Sequence, residues 1–174
     1  MQKDVEEILL KIENLYIKYV GNPDKKYAVN DFSMELRNGE IVGILGESGA
    51  GKSSVGMGIL SMIDPPNELS GHIFFRGKDI GHMNAYDLSR YKWNQVSMVF
   101  QSAMNILDPV INIEQSITEL LLDKSDLNDR IMIKERVREL IDLVELPENT
   151  KKMFPFELSG GMKQRVAIAM AIAN

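Results

Sequence analysis

The chain has 174 residues, enough for one good core, and its 44% hydrophobic and 26% charged content is ordinary for a soluble globular protein. A net charge of −5 and a pI near 5.1 argue against a dedicated nucleic-acid binder, and the lack of cysteine excludes disulfides, thiolate metal sites and cysteine nucleophiles. The charged start Met1-Gln2-Lys3-Asp4-Val5-Glu6-Glu7 is no secretory signal and no apolar run approaches a membrane-spanning length. The expectation is therefore a soluble, cytosolic chain that meets a membrane only through a partner.

Apolar residues alternate at Leu10 and Ile12, then at Leu15, Ile17 and Tyr19, either side of Asn14, which predicts a strand broken by a turn. Gly21-Asn22-Pro23-Asp24 reads as a turn, and a second alternating run over 29–36 ends at Asn38-Gly39. The apolar segment 41–45 predicts a buried strand. It leads directly into Gly46-Glu47-Ser48-Gly49-Ala50-Gly51-Lys52-Ser53, which has the spacing G-x-x-x-x-G-K-[ST].

That run is a phosphate cradle. Glycine lets the backbone turn sharply and bring its N–H groups close to phosphate oxygens, where bulkier residues would obstruct. Lys52 meets the β- and γ-phosphates, the Ser53 hydroxyl can ligate Mg²⁺, and a helix predicted over 53–62 turns its positive end to the anion. The bland alternative is a glycine-rich turn that happens to hold lysine and serine. Gly56 and Gly58 weaken the helix prediction somewhat.

Asp64-Pro65-Pro66-Asn67 breaks the chain, residues 71–80 alternate again, and a polar stretch follows through Trp93. Val96-Ser97-Met98-Val99-Phe100 is a short β-rich run ending at Gln101. From Ile111 the period changes. Ile113, Ile117, Leu120 and Leu121 fit one helical face, and Ile133, Val137, Leu140, Ile141 and Val144 fit another. Pro147 closes that block, Pro155 marks an extended approach, and Gly160-Gly161 opens a last helix over 162–173.

Leu158-Ser159-Gly160-Gly161-Met162-Lys163-Gln164-Arg165 is a second small-residue turn at the head of a helix and resembles the ABC signature. The P-loop, Gln101 at a strand end, a helical insertion and Leu-Ser-Gly-Gly stand in the order found in ABC ATPase domains. The start of the P-loop, residues 99–110 and Met162 narrow the resemblance to the ATP-binding subunits of dipeptide, oligopeptide and nickel importers. Lys163 stands where arginine is common, and Asp108 where asparagine is usual.

The resemblance implies an α/β fold: a P-loop NTPase (ABC ATPase) core with N-terminal antiparallel strands and a helical subdomain. It divides the chain into a β-rich and P-loop portion (1–110), a helical portion (111–157), and the signature with its helix (158–174). Tyr19 would stack on adenine, with Tyr16 and Tyr27 as rivals. For ATP, Gly46, Glu47, Ser48, Gly49, Ala50, Gly51, Lys52, Ser53 and Ser54 would hold the phosphates, and Ser53 and Gln101 would contact Mg²⁺. Of these, Lys52 and Gln101 are the residues nearest to a catalytic role. Ser159, Gly160 and Gly161 would close on ATP held by a second ABC ATPase subunit in a head-to-tail dimer, and Ser159 would also cap its own helix.

Residues 102–112 would receive transmembrane permease subunits, an extracellular solute-binding protein would take part indirectly, and no nucleic acid is expected. The parent protein would be a peripheral ATPase on the cytoplasmic face of the cell membrane, importing peptides or nickel. A soluble ABC ATPase acting on ribosomes or nucleic acid is the alternative.

Hydrolysis in P-loop NTPases needs an acid for Mg²⁺, and ABC domains add a glutamate that polarises water. No apolar strand ending in Asp-Glu follows Arg165, Asp142 and Glu145 lie on an amphipathic helix, Glu40 precedes the P-loop strand, and neither His72 nor His82 matches the family's switch histidine. The expectation is a core lacking its C-terminal part, which binds nucleotide weakly, does not hydrolyse it, and covers an open sheet edge by self-association or a borrowed strand.

Overall fold

Alternation in the first segment becomes a single strand, β1 (Ile8–Lys18), because Asn14 absorbs the slip in phase instead of ending it. Asn14 takes a left-handed φ of 47°. The pairing shifts register between Ile12 and Leu15, so Leu10, Ile12, Leu15 and Ile17 all reach one buried face. The bulge is held from both sides. The Asn14 N–H donates to Ser33 Oγ (2.9 Å) and its Nδ2 to Asp31 Oδ1 (2.8 Å), while on the other strand Gly71 leaves room that a Cβ would take from the Asn14 carbonyl.

The structure is a computed structural model that describes residues 7–21, 27–100, 107–124 and 129–173. It divides into two compact units, 1–92 and 93–174, each taken by itself below. In the first, β2 (Val29–Arg37), β1, β3 (Glu68–Phe75) and the short β4 (Lys78–Asp79) form an antiparallel sheet in the order β2-β1-β3-β4. Helix α1 (Lys52–Ile59) lies on its apolar face. Gly58 allows that approach, since a Cβ there would stand 3.3 Å from Ile17 Cδ1 and 3.7 Å from Ile73 Cδ1. Helix α2 (Ala85–Asn94) arises from the polar stretch and places Tyr91 edge-on to Phe75, ring centroids 5.2 Å apart.

Two predicted strands are corrected. Residues 41–45 and 96–100 run without strand structure, and Ile41 and Leu45 are 97% and 95% exposed. An extended segment becomes a strand only when another strand meets its N–H and C=O groups, and among the described residues none pairs with either segment.

The second unit is helical. Helices α3 (Ile113–Lys124), α4 (Arg130–Leu143) and α5 (Gly160–Ala171) close over Ile113, Ile117, Leu121, Ile133, Val137 and Leu140, joined by Val166 and Ala169 of α5. The helical faces read from the sequence are those that pack, with Leu120 and Val144 at the margin.

Candidate functional site

The loop 46–50 is exposed from end to end and is shaped by its glycines. Gly49 and Gly51 take φ of 78° and 88°, and a Cβ on Gly51 would run into the Ala28 carbonyl oxygen. The Ala50 N–H donates to the Glu47 carbonyl (3.1 Å), closing a turn, and Gly51 then stands as N-cap of α1 without a side chain to satisfy the first N–H groups. Lys52 folds back over this turn, its Nζ 2.8 Å from the Gly46 carbonyl oxygen and 2.7 Å from that of Glu47. Ser53 is exposed in the first turn of the helix.

This arrangement fits a polyphosphate. The donors left over at the helix start, its positive dipole end and a lysine ammonium held only by exchangeable carbonyl contacts converge on one exposed loop. Of the two ligands predicted for Mg²⁺, Ser53 lies among the described residues. The second predicted ligand, Gln101, lies outside the described residues, as do residues 102–106 of the predicted permease surface. Among the described residues, no group of three or more histidine or carboxylate side chains could hold a metal ion.

Tyr19 lies half-buried beside the cradle's helix, its hydroxyl 4.0 Å from Met57 Sδ. Its rivals pack against one another, Tyr16 and Tyr27 edge-to-face at 5.4 Å. Burial, together with the Asp31 carboxylate, raises the Tyr16 phenol above its ordinary range.

In the second unit, Ser159, Gly160 and Gly161 are exposed at the head of α5. The Ser159 Oγ accepts from the Met162 N–H (3.3 Å), so the capping role read from the sequence is present. Gly161 has open space where a Cβ would sit, so local packing does not demand glycine there.

A family model for the ABC transporter matches residues 29–174. The chain belongs to the ABC transporter family. It is 34% identical over 168 residues to the oligopeptide transport ATP-binding protein OppD of Escherichia coli K12, covering 95% of this chain and 50% of that protein. To the dipeptide transport ATP-binding protein DppD of Bacillus subtilis it is 31% identical, with the same two coverages. The chain thus spans about half the length of the curated relatives it matches. Among solved structures, a dimeric post-hydrolysis ATP-binding cassette bound to ADP and Pi superposes with a TM-score of 0.79 at 27% identity, over 95% of this chain and 69% of that one. CbiO1 of Clostridium perfringens, part of the cbiONQ transporter complex, gives 0.78 at 27%, over 97% and 62%.

The ABC ATPase fold is therefore shown, with its antiparallel N-terminal sheet and only part of a full cassette. Among the described residues no helix is long and apolar enough to cross a membrane. Sequence reasoning missed two features of this ABC chain. One is α2, a predominantly polar helix whose only buried residue is Tyr91. The other is the histidine pair: His72 and His82, read as separate surface residues, both turn Nδ1 to Asp79 Oδ2, at 2.7 and 3.1 Å.

Proposed function

We propose that the chain is the nucleotide-binding portion of an ATP-driven subunit that powers peptide import, with nickel as the alternative cargo, at the cytoplasmic face of a membrane. The observation that carries this is the exposed glycine cradle, with Lys52 folded over it and α1 behind it. The names of the relatives at 31–34% identity support the cargo class.

Gly46, Glu47, Ser48, Gly49, Ala50 and Gly51 would wrap the phosphates, and the first N–H groups of α1 would donate to them. The Lys52 ammonium would exchange its two carbonyl partners for phosphate oxygens, a stronger charge-assisted contact. Ser53, flanked by Ser54, would hold Mg²⁺ together with Gln101, and Tyr19 would support adenine. Ser159, Gly160 and Gly161 would face ATP on a second copy of the domain, and residues 102–112 would meet the permease subunits. Bound ATP would supply a phosphoanhydride bond whose hydrolysis would drive transport. This chain's own residues would bind and orient it.

Calorimetric titration of the 174 residues with ATP·Mg²⁺, followed by a phosphate-release assay, tests the reading. Binding without turnover is expected, and Lys52→Ala should weaken binding about tenfold to a hundredfold, the scale of one or two charge-assisted hydrogen bonds. Wild-type affinity in that variant would remove the cradle from the account, and measurable hydrolysis would overturn the missing-acid argument. Co-purification with two integral-membrane subunits, against co-sedimentation with ribosomes or DNA, separates the importer from a soluble ABC ATPase.

A further inference from the structure

Helix α1 is a poor helix by its own sequence. It has eight residues, two of them glycine and two, Val55 and Ile59, β-branched. A helix this short is marginal in water, and at about 1.5 Å per residue its two ends stand only about 12 Å apart. Disorder entering at the C-terminus therefore reaches the first turn, where the phosphate donors lie.

The C-terminal end is closed with unusual care. Ser61 takes a left-handed φ of 50°, its N–H donating to the Gly58 carbonyl (2.9 Å), and the Met62 N–H donates to that of Met57 (2.9 Å). Two carbonyls beyond this pattern are taken by consecutive side chains of α2. The Tyr91 hydroxyl donates to the Ile59 carbonyl oxygen at 2.7 Å, and the Lys92 ammonium to that of Ser61 at 2.8 Å. Tyr91 is 1% exposed, with its ring fixed against Phe75 of the sheet, so the hydroxyl is aimed from a rigid base. Lys92 sets a positive charge against the negative end of the helix dipole.

We infer that Tyr91 and Lys92 are positioning residues for nucleotide: they clamp the C-terminus of α1 to the sheet and so keep its first-turn N–H groups ordered for phosphate. The inference rests on the proposed nucleotide reading. If the clamp loosens, only the ordered fraction of α1 binds, and the apparent Kd rises in inverse proportion to that fraction.

The test uses the full chain with Tyr91→Phe, Lys92→Met and Lys92→Arg. ATP·Mg²⁺ affinity is measured by calorimetry, and amide hydrogen exchange over residues 52–60 is measured without nucleotide. Tyr91→Phe and Lys92→Met should each raise Kd about three- to tenfold and speed α1 exchange by a similar factor, with β1 exchange unchanged. Lys92→Arg should restore both. Saturating ATP·Mg²⁺ should return α1 exchange in the variants to the wild-type level. Unchanged α1 exchange in Tyr91→Phe and Lys92→Met, or exchange raised equally in β1, overturns the inference. A wild-type chain that fails to bind ATP·Mg²⁺ would strike the nucleotide reading itself. The exchange experiment, which needs no nucleotide, would then still decide whether the clamp exists.

Discussion

Arg136 and Arg165 each close the helix that the other stands on. Arg165, in α5, donates from Nη1 to the carbonyl oxygens of Val144 and Glu145 at the end of α4, both at 3.1 Å. Arg136, in α4, donates from Nε and Nη2 to Ala173 and Ile172 at the end of α5, both at 3.3 Å. The two helices therefore run antiparallel, and each guanidinium satisfies carbonyls that helix geometry leaves without partners. Arg165→Ala and Arg136→Ala should each cost about 1–2 kcal/mol, read as a lower urea midpoint at unchanged m-value. The double variant should depart from additivity, because both contacts serve one helix pair. Since Arg165 belongs to the signature run, loss of function in its variant has to be judged against that loss of stability.

Gly51 carries a backbone demand that Gly43 does not. Its φ of 88° is costly for any L-residue, and a Cβ would collide with the Ala28 carbonyl oxygen, whereas Gly43 has open space and no left-handed φ. Gly51→Ala should lose about 1–3 kcal/mol or more. Gly43→Ala should leave thermal stability within about 0.5 kcal/mol of wild type. Equal melting temperatures for the two variants would show that the cradle does not need this conformation.

The legible parts of this chain were those whose physics is local. The phase slip at Asn14 could be read from spacing alone, although a bulge and a turn give the same pattern, and only the Ser33, Asp31 and Gly71 partners decide between them. The turns at Gly49 and Gly51 were legible because glycine acts through its own backbone conformation. Residues 41–45 were not, because β propensity describes one half of a ladder and the other half must come from elsewhere. The partners of Arg136, Arg165 and Tyr91 are backbone carbonyls 20 to 37 positions away, which no residue-type pattern announces.

Asp79 makes the β3–β4 hairpin sensitive to acid. Burial alone would raise its carboxyl, but hydrogen bonds from His72, the Gly81 N–H and His82 outweigh that and hold it below the ordinary aspartate range. A depressed folded-state pKa contributes stability that is present above the unfolded value near 3.8 and is lost as pH falls through the lower, folded value. Stability should therefore fall below about pH 4 more steeply in wild type than in Asp79→Asn. At neutral pH that substitution should cost about 1–2 kcal/mol through lost charge-assisted hydrogen bonds. Parallel stability–pH curves for the two proteins would exclude Asp79 as the source.

Ser159 and Gly161 permit the structural role of the signature run to be separated from the ligand-binding role proposed for it. Ser159→Ala removes the acceptor for the Met162 N–H and should cost about 1 kcal/mol of helix stability whatever else the residue does. Gly161→Ala works in the opposite sense. A Cβ there meets nothing within 4 Å, and α5 would gain up to about 1 kcal/mol from replacing glycine by alanine inside a helix. If Gly161 faces ATP on a second copy, the added methyl group would instead obstruct the approach of phosphate to the backbone. Gly161→Ala should thus melt at or above the wild-type temperature while losing ATP·Mg²⁺-dependent dimerisation in sedimentation. A variant that is more stable and still dimerises as wild type does would leave the signature turn with a capping role alone.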